Sequence, residues 1–468
     1  MAEVFGRRSF LSMAGAGAAW TAAGRWLLAA EGATGRPNVI LAMTDDQGWG
    51  DTGYNGHPAL KTPTLDEMAR TGIRFDRWYA GAPVCSPTRG SCLTGRHPYR
   101  YGIFNANVGH MRPQEVTLAE ALKTQGYATG HFGKWHLGTL TTEVRESNRG
   151  GPGGKTHFAP PWLHGFDVCF STEAKVPTYN PMLAPGSDKP YGTHYWRQDG
   201  TRETEDLAGD DSRVIMDRAI PFIRKAAEEK RPFLAVIWFH TPHLPVLAGP
   251  EHRKLYEGIK GTDPHYHGAI TAMDEQMGRL RRALRELGIA ENTMLWFCSD
   301  NGPEGQAGKA PGSAGPLRGR KRDLFEGGIR VPGLLEWPAK IKEPRVIAMP
   351  CCTSDYFPTV LDVLGFRPKG QPEPMDGVSL LPLIEGRMAE RPRPIAFESG
   401  GQLALIANRL KLIRTSPKGN WMLFDIVADP GETKDLSAEE PDAVKAMQDT
   451  LLAWQASCKE SLAGKDYR

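Results

Sequence analysis

Four short apolar runs decide most of what this chain can fold into. They are Val39–Met43 in "NVILAMTDD", the less regular "GYATGHFGKWH", Phe233–Phe239 in "PFLAVIWFHTPH" and Met294–Cys298 in "TMLWFCSDNG". Short runs rich in Val, Ile, Leu and Phe, bounded by turn residues, read as strands buried on both faces. Each run leads into polar residues capable of chemistry: Asp45-Asp46, Lys134 with His136, His240 with His243, and Asp300-Asn301. Helical patterns lie between them. Thr62-Pro63 suits a helix start before Leu65, Met68 and Ala69, and Ile270, Met273, Met277, Leu280, Leu284 and Leu287 recur at helical spacing until Gly288. Strands alternating with helices predict an α/β fold, a mostly parallel sheet sandwiched by helices. Ligands of such sheets bind at the carboxyl ends of the strands, so the four polar ends are expected to meet at one edge.

The rest of the chain departs from that rhythm in three places. Residues 140–210 are rich in Gly, Pro, His and aromatics, as in "GGPGGKTHFAPPWLHGFD" and "YGTHYWRQDG", and read as long functional loops. Residues 341–468 read as a smaller C-terminal α+β subdomain: "LALIANRLKLIR" and "WMLFDIVADPGE" look like short antiparallel strands, followed by a helix from about Pro441 to Leu462. The catalytic domain is then 34–340. Residues 1–33 read as an address. Arg7-Arg8 precede fifteen uncharged residues, Phe10–Gly24, with small residues near Ala29–Ala33 where cleavage can occur. That order resembles a twin-arginine export signal and is too short and weakly apolar for a membrane span, so the expected location is periplasmic or extracellular. Lys+Arg 57 against Asp+Glu 54 leaves a charge of +3, without the basic excess of a nucleic-acid binder.

The seven cysteines, Cys85, Cys92, Cys169, Cys298, Cys351, Cys352 and Cys458, form neither a disulfide framework nor a CxxC zinc site. Cys85 stands apart by its neighbours. Ser86-Pro87 suits a helix N-cap and first position, which puts Cys85 where unpaired N–H groups favour negative charge. Arg89 adds a guanidinium suited to oxyanions. A plain thiolate of the tyrosine-phosphatase type needs Cys-x5-Arg, but the residue six beyond Cys85 is Ser91. Asp45, Asp46, Asp300 and Asn301 supply three carboxylates and a carboxamide, hard oxygen donors that suit Ca2+ or Mg2+ better than zinc.

"CSPTRGSCLTGR" matches the signature Cys/Ser-x-Pro-x-Arg with Leu-Thr-Gly-Arg downstream, and around it stand "TDDQGWGD", "GKWHLG", "HGFD", "TPHLP", "SDNG", "GRKRDLFEGGIRVP" and "LFDIVADPGE". In order and spacing these motifs resemble type I sulfatases of the arylsulfatase A and N-acetylgalactosamine-6-sulfatase kind, within the alkaline phosphatase superfamily. The resemblance covers nearly everything after residue 36. It implies that a separate maturation enzyme oxidises Cys85 to Cα-formylglycine (3-oxoalanine). The hydrated aldehyde then attacks sulfur with one hydroxyl and expels sulfate through the other.

The resemblance also assigns roles. Asp45, Asp46, Asp300, Asn301 and modified Cys85 hold one Ca2+. Arg89 and Lys134 stabilise the aldehyde hydrate and the sulfate, and Lys321 also binds sulfate oxygens. His136 takes the proton that drives sulfate elimination. His243, which precedes Leu-Pro as the family pattern requires, contacts the sulfate and assists the departing oxygen, with His240 as its competitor. Ser171, after "HGFDVCF", is a candidate sulfate contact, and His157, His164 and His194 are loop residues that can reach substrate. Trp162, Tyr179, Tyr195, Trp196 and Arg197 suit stacking on sugars and pairing with further sulfates, which favours sulfated glycans over small aryl esters. Two other readings stand beside sulfate hydrolysis: a phosphonate or phosphodiester hydrolase of the same superfamily, and an exported glycan-binding protein that keeps the frame as a scaffold.

Overall fold

The computed structural model describes residues 35–147, 149 and 152–467. The expected export signal lies outside the described residues. Four of the predicted strands are present: β1 (Asn38–Thr44), β2 (Ala128–Lys134), β3 (Phe233–Trp238) and β4 (Thr293–Ser299). They are neighbours in the order β4, β1, β3, β2, all parallel, at the centre of a nine-stranded sheet. Strand 168–172 extends the sheet in parallel beyond β2, while 196–197 and 333–336 pair antiparallel.

The apolar runs are continuous because both faces are covered. Val39, Leu41 and Met43 point into one core with Leu234, Val236 and Trp238, while Ile40, Ala42, Phe233, Ala235 and Ile237 point into the other. A strand's period of two divides such a run between two layers. The second face is covered by helices Asp211–Glu228 and Pro264–Glu286, whose Ile215, Ile223, Met273 and Met277 are fully buried. The architecture is thus the α/β sandwich that the alternation predicts.

The four-stranded antiparallel sheet runs from Ile395 to Asp425 in simple up-and-down order. Helix Pro441–Leu462 lies on one face, with Met447 and Leu451 against Leu403, Leu405, Leu412 and Leu423. The other face packs Ala404, Ile406 and Ile413 against Tyr79, Leu324 and Ile329 of the larger layer. Residues immediately after 340 do not join this small sheet. Strand 345–347 pairs with 73–75 in the large sheet, and Tyr356, Phe357 and Val360 enter its core. Residues 36–468 accordingly form one compact unit.

Candidate active site

The carboxyl ends of the four central strands carry the predicted polar residues to one place. Parallel pairing sets Thr44 opposite Ser299, so Asp45 and Asp300 emerge side by side. The Asp46 backbone N–H then donates to Asp300 Oδ1 at 3.1 Å, and Asn301 Nδ2 donates to Asp46 Oδ1 at 2.7 Å. Asp46 has φ 69° and His136 φ 58°, both in the left-handed region that residues other than glycine seldom occupy. Such strain persists where the surroundings impose it, and here both residues stand at the site. Gly133, just before Lys134, has φ 99°, and a Cβ there would meet the Trp238 carbonyl oxygen at 2.0 Å.

Cys85 opens a helix over Cys85–Thr94, with Val84 as the cap residue. The expected N-cap at Ser86 is therefore two residues late. Cys85 itself lies in the first turn, where amide N–H groups have no helical acceptor, so the expected environment holds. Only 1% of Cys85 is exposed, yet it lines a cleft of about 600 Å³ together with Lys134, His136, His243 and Lys321. All seven cysteines are free and buried, so burial does not distinguish Cys85; its place on the cleft wall does. Burial, the largest influence, raises its thiol above the ordinary value although Lys134 and Lys321 pull the other way. A protonated, buried thiol is a poor nucleophile.

Cations interleave with the acids. Lys134 Nζ donates to Asp45 Oδ2 at 2.6 Å, and Lys321 Nζ lies 2.7 Å from Asp46 Oδ1. Arg89 reaches Asp300 Oδ2 with Nε at 3.1 Å and Nη2 at 2.7 Å, and its Nη1 donates to the Lys134 carbonyl at 3.0 Å. Burial opposes ionisation of Asp45, but Lys134, His243, Arg89 and Lys321 outweigh it and hold the carboxyl well below its usual range. Asp300 moves the other way, raised by burial and by the adjacent charge of Asp45.

The donor set fits a divalent cation. Ligand atoms of Asp45, Cys85 and Asp300 lie within 4.8 Å of one another, as do those of Asp45, Asp46 and His243. Asp45 Oδ1 and Asn301 Oδ1 are buried without a hydrogen-bond donor among the described residues. Buried acceptors left bare are costly, and a hard cation satisfies several at once.

The two histidines after β3 separate cleanly. His243 lines the cleft with Nε2 3.6 Å from Asp46 Oδ2, while its Nδ1 bonds the Leu244 carbonyl at 2.6 Å. Burial lowers it to about 4 against the pull of Asp45 and Asp46, so it is neutral at rest. His240 is fully buried, bonded to Asp211 Oδ2 at 2.8 Å and Thr172 Oγ1 at 2.7 Å, and is a packing residue. His136 Nε2 bonds Asn107 Oδ1 at 2.8 Å, which leaves Nδ1 as the basic nitrogen, without a partner among the described residues. Burial, then Lys134 and Arg149, hold this imidazole well below its ordinary value, so it is neutral and able to accept a proton.

Several sequence candidates stand elsewhere. Ser171 is buried against His131 Nδ1 at 2.7 Å and does not line the cleft. Tyr195 stacks on Phe170 at 3.9 Å and donates to Asp211, and buried Trp196 donates to Glu146. Trp162 packs against the core, and Arg197 pairs with Glu203 at 2.8 Å. Tyr179 is half-buried and lies off the cleft. Tyr195 and Trp196 face inward and Trp162 packs on the core because the 140–210 loops carry their own packing, so none of the three offers a stacking platform in the cleft. His157 bonds His110, His164 is buried beside Trp135, and His194 bonds Glu146; none lines the cleft.

Three contributors stand beyond the residues to which the resemblance assigns roles, although Asp51 ends the "TDDQGWGD" motif and Tyr191 opens "YGTHYWRQDG". Asn107 orients His136 from a loop without a recognisable pattern. Asp51 accepts from Gly48 N, Ser313 N and Tyr266 Oη at 2.8–2.9 Å and so pins the loop after Asp46. Tyr191 is the aromatic residue that does line the cleft.

The sulfatase family model matches residues 37–366, and the model of the N-sulphoglucosamine sulphohydrolase C-terminal region matches 320–457. The chain is 35% identical over 408 residues to N-acetylgalactosamine-6-sulfatase of Sus scrofa, covering 80% of this chain and 73% of that protein. It is 33% identical over 419 residues to steryl-sulfatase of Mus musculus, covering 75% of this chain and 65% of that one. Among solved structures, Ps i-CgsB in complex with k-i-k-neocarrahexaose superposes with a TM-score of 0.76 at 26% identity, over 90% of this chain and 92% of that chain. A phosphonate monoester hydrolase of Agrobacterium radiobacter shares the fold, with a TM-score of 0.63 at 20% identity over 92% and 97% of the two chains.

Proposed function

The chain belongs to the sulfatase family and is a sulfuric ester hydrolase; on that premise we propose that it cleaves sulfate monoesters of glycans, using a Cα-formylglycine made from Cys85 and one Ca2+ ion. The observation that carries this reading is the place of Cys85: a buried, protonated thiol in the first turn of its helix, at the wall of a cleft lined also by Lys134, His136, His243 and Lys321. As a thiol it is inert there. As an aldehyde hydrate it supplies an oxygen nucleophile and an internal route for releasing sulfate.

Asp45, Asp46, Asp300, Asn301 and modified Cys85 would hold the cation, which would lower the proton affinity of the attacking hydroxyl and neutralise developing charge. The chain's own groups do the rest. Arg89, locked to Asp300 and to the Lys134 carbonyl, presents a fixed positive charge beneath the first turn of the Cys85 helix. Lys134 and Lys321 bind sulfate oxygens, and loss of one such preorganised donor typically costs about 10²–10³ in rate. His136 Nδ1 accepts the proton whose departure drives sulfate release. His243 takes up a proton at Nε2 when the anionic ester binds and delivers it to the leaving oxygen.

The glycan assignment draws on two relatives, the N-acetylgalactosamine-6-sulfatase of Sus scrofa and Ps i-CgsB in complex with k-i-k-neocarrahexaose. Oxidation of Cys85 by a maturation enzyme before folded export to the periplasm belongs to the same reading. Its support is the Cys-x-Pro-x-Arg sequence and the Arg7-Arg8 segment. Parallel assays with 4-nitrophenyl sulfate, 4-nitrophenyl phosphate and a phosphonate monoester test the reaction class. The sulfate ester is expected to turn over fastest; preference for either phosphorus ester counts against the proposal.

A further inference from the structure

The outer wall of the cleft carries positive charge that the reacting sulfate does not need. One sulfate monoester brings one negative charge, and Lys134 and Lys321 already line the cleft where it reacts, with Arg89 bonded to the Lys134 carbonyl beside them. Further out the cleft is lined by Arg145, Glu146, Lys175, Tyr191, Glu304 and Arg322. Both carboxylates in that group are engaged. Glu304 accepts from Arg322 at 2.6 and 3.0 Å and lies 3.3 Å from Lys321, while Glu146 is bonded to His194 and Trp196. Arg322 is thereby neutralised.

Arg145 and Lys175 remain. Arg145 is exposed, and its only hydrogen bond among the described residues runs from Nε to the Ser147 carbonyl at 3.2 Å. Lys175 is exposed and makes no hydrogen bond or ion pair among the described residues. Arg149, four residues after Arg145, is 3% exposed, donates from Nη1 to the Gly109 carbonyl at 3.0 Å, and leaves Nε and Nη2 without partners among the described residues. Among the described residues Glu173, buried and bonded to Ser147, is the carboxylate whose charge reaches Arg149. Glu173 offsets part of the Arg149 charge, but its two unmatched N–H groups stay costly until an acceptor meets them.

We propose that Arg145 and Lys175, with Arg149 from the same segment as Arg145, form a second anion subsite, so that the preferred substrate is a saccharide carrying a second sulfate or carboxylate beside the ester to be cleaved. This inference rests on the sulfatase reading above and specifies its substrate class. The two cations come from segments thirty residues apart in sequence, yet they line one cleft of about 600 Å³, within the range of ordinary small-ligand sites. Their free N–H groups can give charge-assisted hydrogen bonds, which are stronger than neutral ones and weaken as salt rises.

The test compares glucosamine 6-O-sulfate with glucosamine 2-N,6-O-disulfate as competitors of 4-nitrophenyl sulfate hydrolysis. The ratio of their inhibition constants is also read as a ratio of dissociation constants by calorimetry on Cys85→Ala protein. The disulfate is expected to bind about tenfold more tightly at low salt. The ratio should fall toward one in the Arg145→Ala/Lys175→Ala double variant and in high salt. A ratio near one in the unsubstituted protein, or one that the double substitution leaves unchanged, overturns the second subsite. Failure to hydrolyse 4-nitrophenyl sulfate counts instead against the sulfatase reading, and the calorimetric ratio still decides the subsite.

Discussion

His243 reaches to 3.6 Å from Asp46 across the acidic pocket, while His240, three residues earlier, is clasped by Asp211 and buried. Two identical side chains on one turn thus have separate work, and substitution should separate them. His243→Ala should lower kcat/KM for sugar sulfates far more than for 4-nitrophenyl sulfate, whose phenolate departs without a proton. His240→Ala should lower both substrates alike and cost about 1–3 kcal/mol of stability, because it leaves Asp211 and Thr172 short of a buried partner. A leaving-group dependence found in the His240 variant would reverse these roles.

Cation binding is expected to depend on pH through Asp300. In the cation-free protein its carboxyl is raised to about 7, by burial and by the charge of Asp45. Between the ordinary carboxylate range and that value the folded protein keeps a proton that the unfolded chain releases. Stability of the cation-free protein should therefore fall as pH rises through this window and level off above it. Ca2+ needs the carboxylate, so its stabilising effect should grow over the same window. Thermal unfolding with and without CaCl2 at pH 5.5 and pH 7.5 checks this; an equal or smaller Ca2+ shift at the higher pH contradicts it.

Asp300→Ala is a poor probe of the cation because Asp300 also neutralises buried Arg89, so the fold is not expected to survive that change unharmed. Asp300→Asn keeps the shape and removes the charge. It should lose bound Ca2+ by elemental analysis and activity by about 10² or more, with a far-ultraviolet circular dichroism spectrum like that of the parent. Retained Ca2+ stoichiometry would contradict the ligand assignment.

Lys411 fastens the small sheet to the catalytic layer. Its Nζ donates to Glu326 Oε1 at 3.0 Å and lies 2.9 Å from Glu432 Oε1, and all three side chains are fully buried. Glu326 also accepts from Tyr79 Oη at 2.8 Å and follows the loop that bears Lys321. Lys411→Met should destabilise the protein by about 3–5 kcal/mol, since two buried carboxylates lose their counter-charge. Adding Glu326→Gln and Glu432→Gln should recover much of that loss in denaturant unfolding. A single variant as stable as the parent would show that the clamp does not hold the layers together.

The parts of the fold that were legible in sequence are those whose physics is local. Val39–Met43 and Phe233–Phe239 announce buried strands because each alternate residue meets a different core, and Pro441 starts a helix because its lost N–H has no acceptor to serve. The acidic pairs were legible because they end such strands. What failed depended on distant partners. Ser171 turns to His131 across a strand pair, and Tyr195 stacks on Phe170 instead of a sugar. Nothing within the loop sequence distinguishes an aromatic residue that packs inward from one that faces a cleft. Asn107 was invisible for the same reason: its role is defined by His136, twenty-nine residues away.

Cys85 is expected to work only after oxidation, a change that peptide mass spectrometry detects. Protein made with and without the maturation enzyme is assayed with 4-nitrophenyl sulfate, and the tryptic peptide Trp78–Arg89 is examined for an aldehyde by hydrazide capture. Specific activity should rise in proportion to the fraction of that peptide carrying the aldehyde and vanish with it. Full activity in protein whose Cys85 is entirely an intact thiol would contradict this expectation.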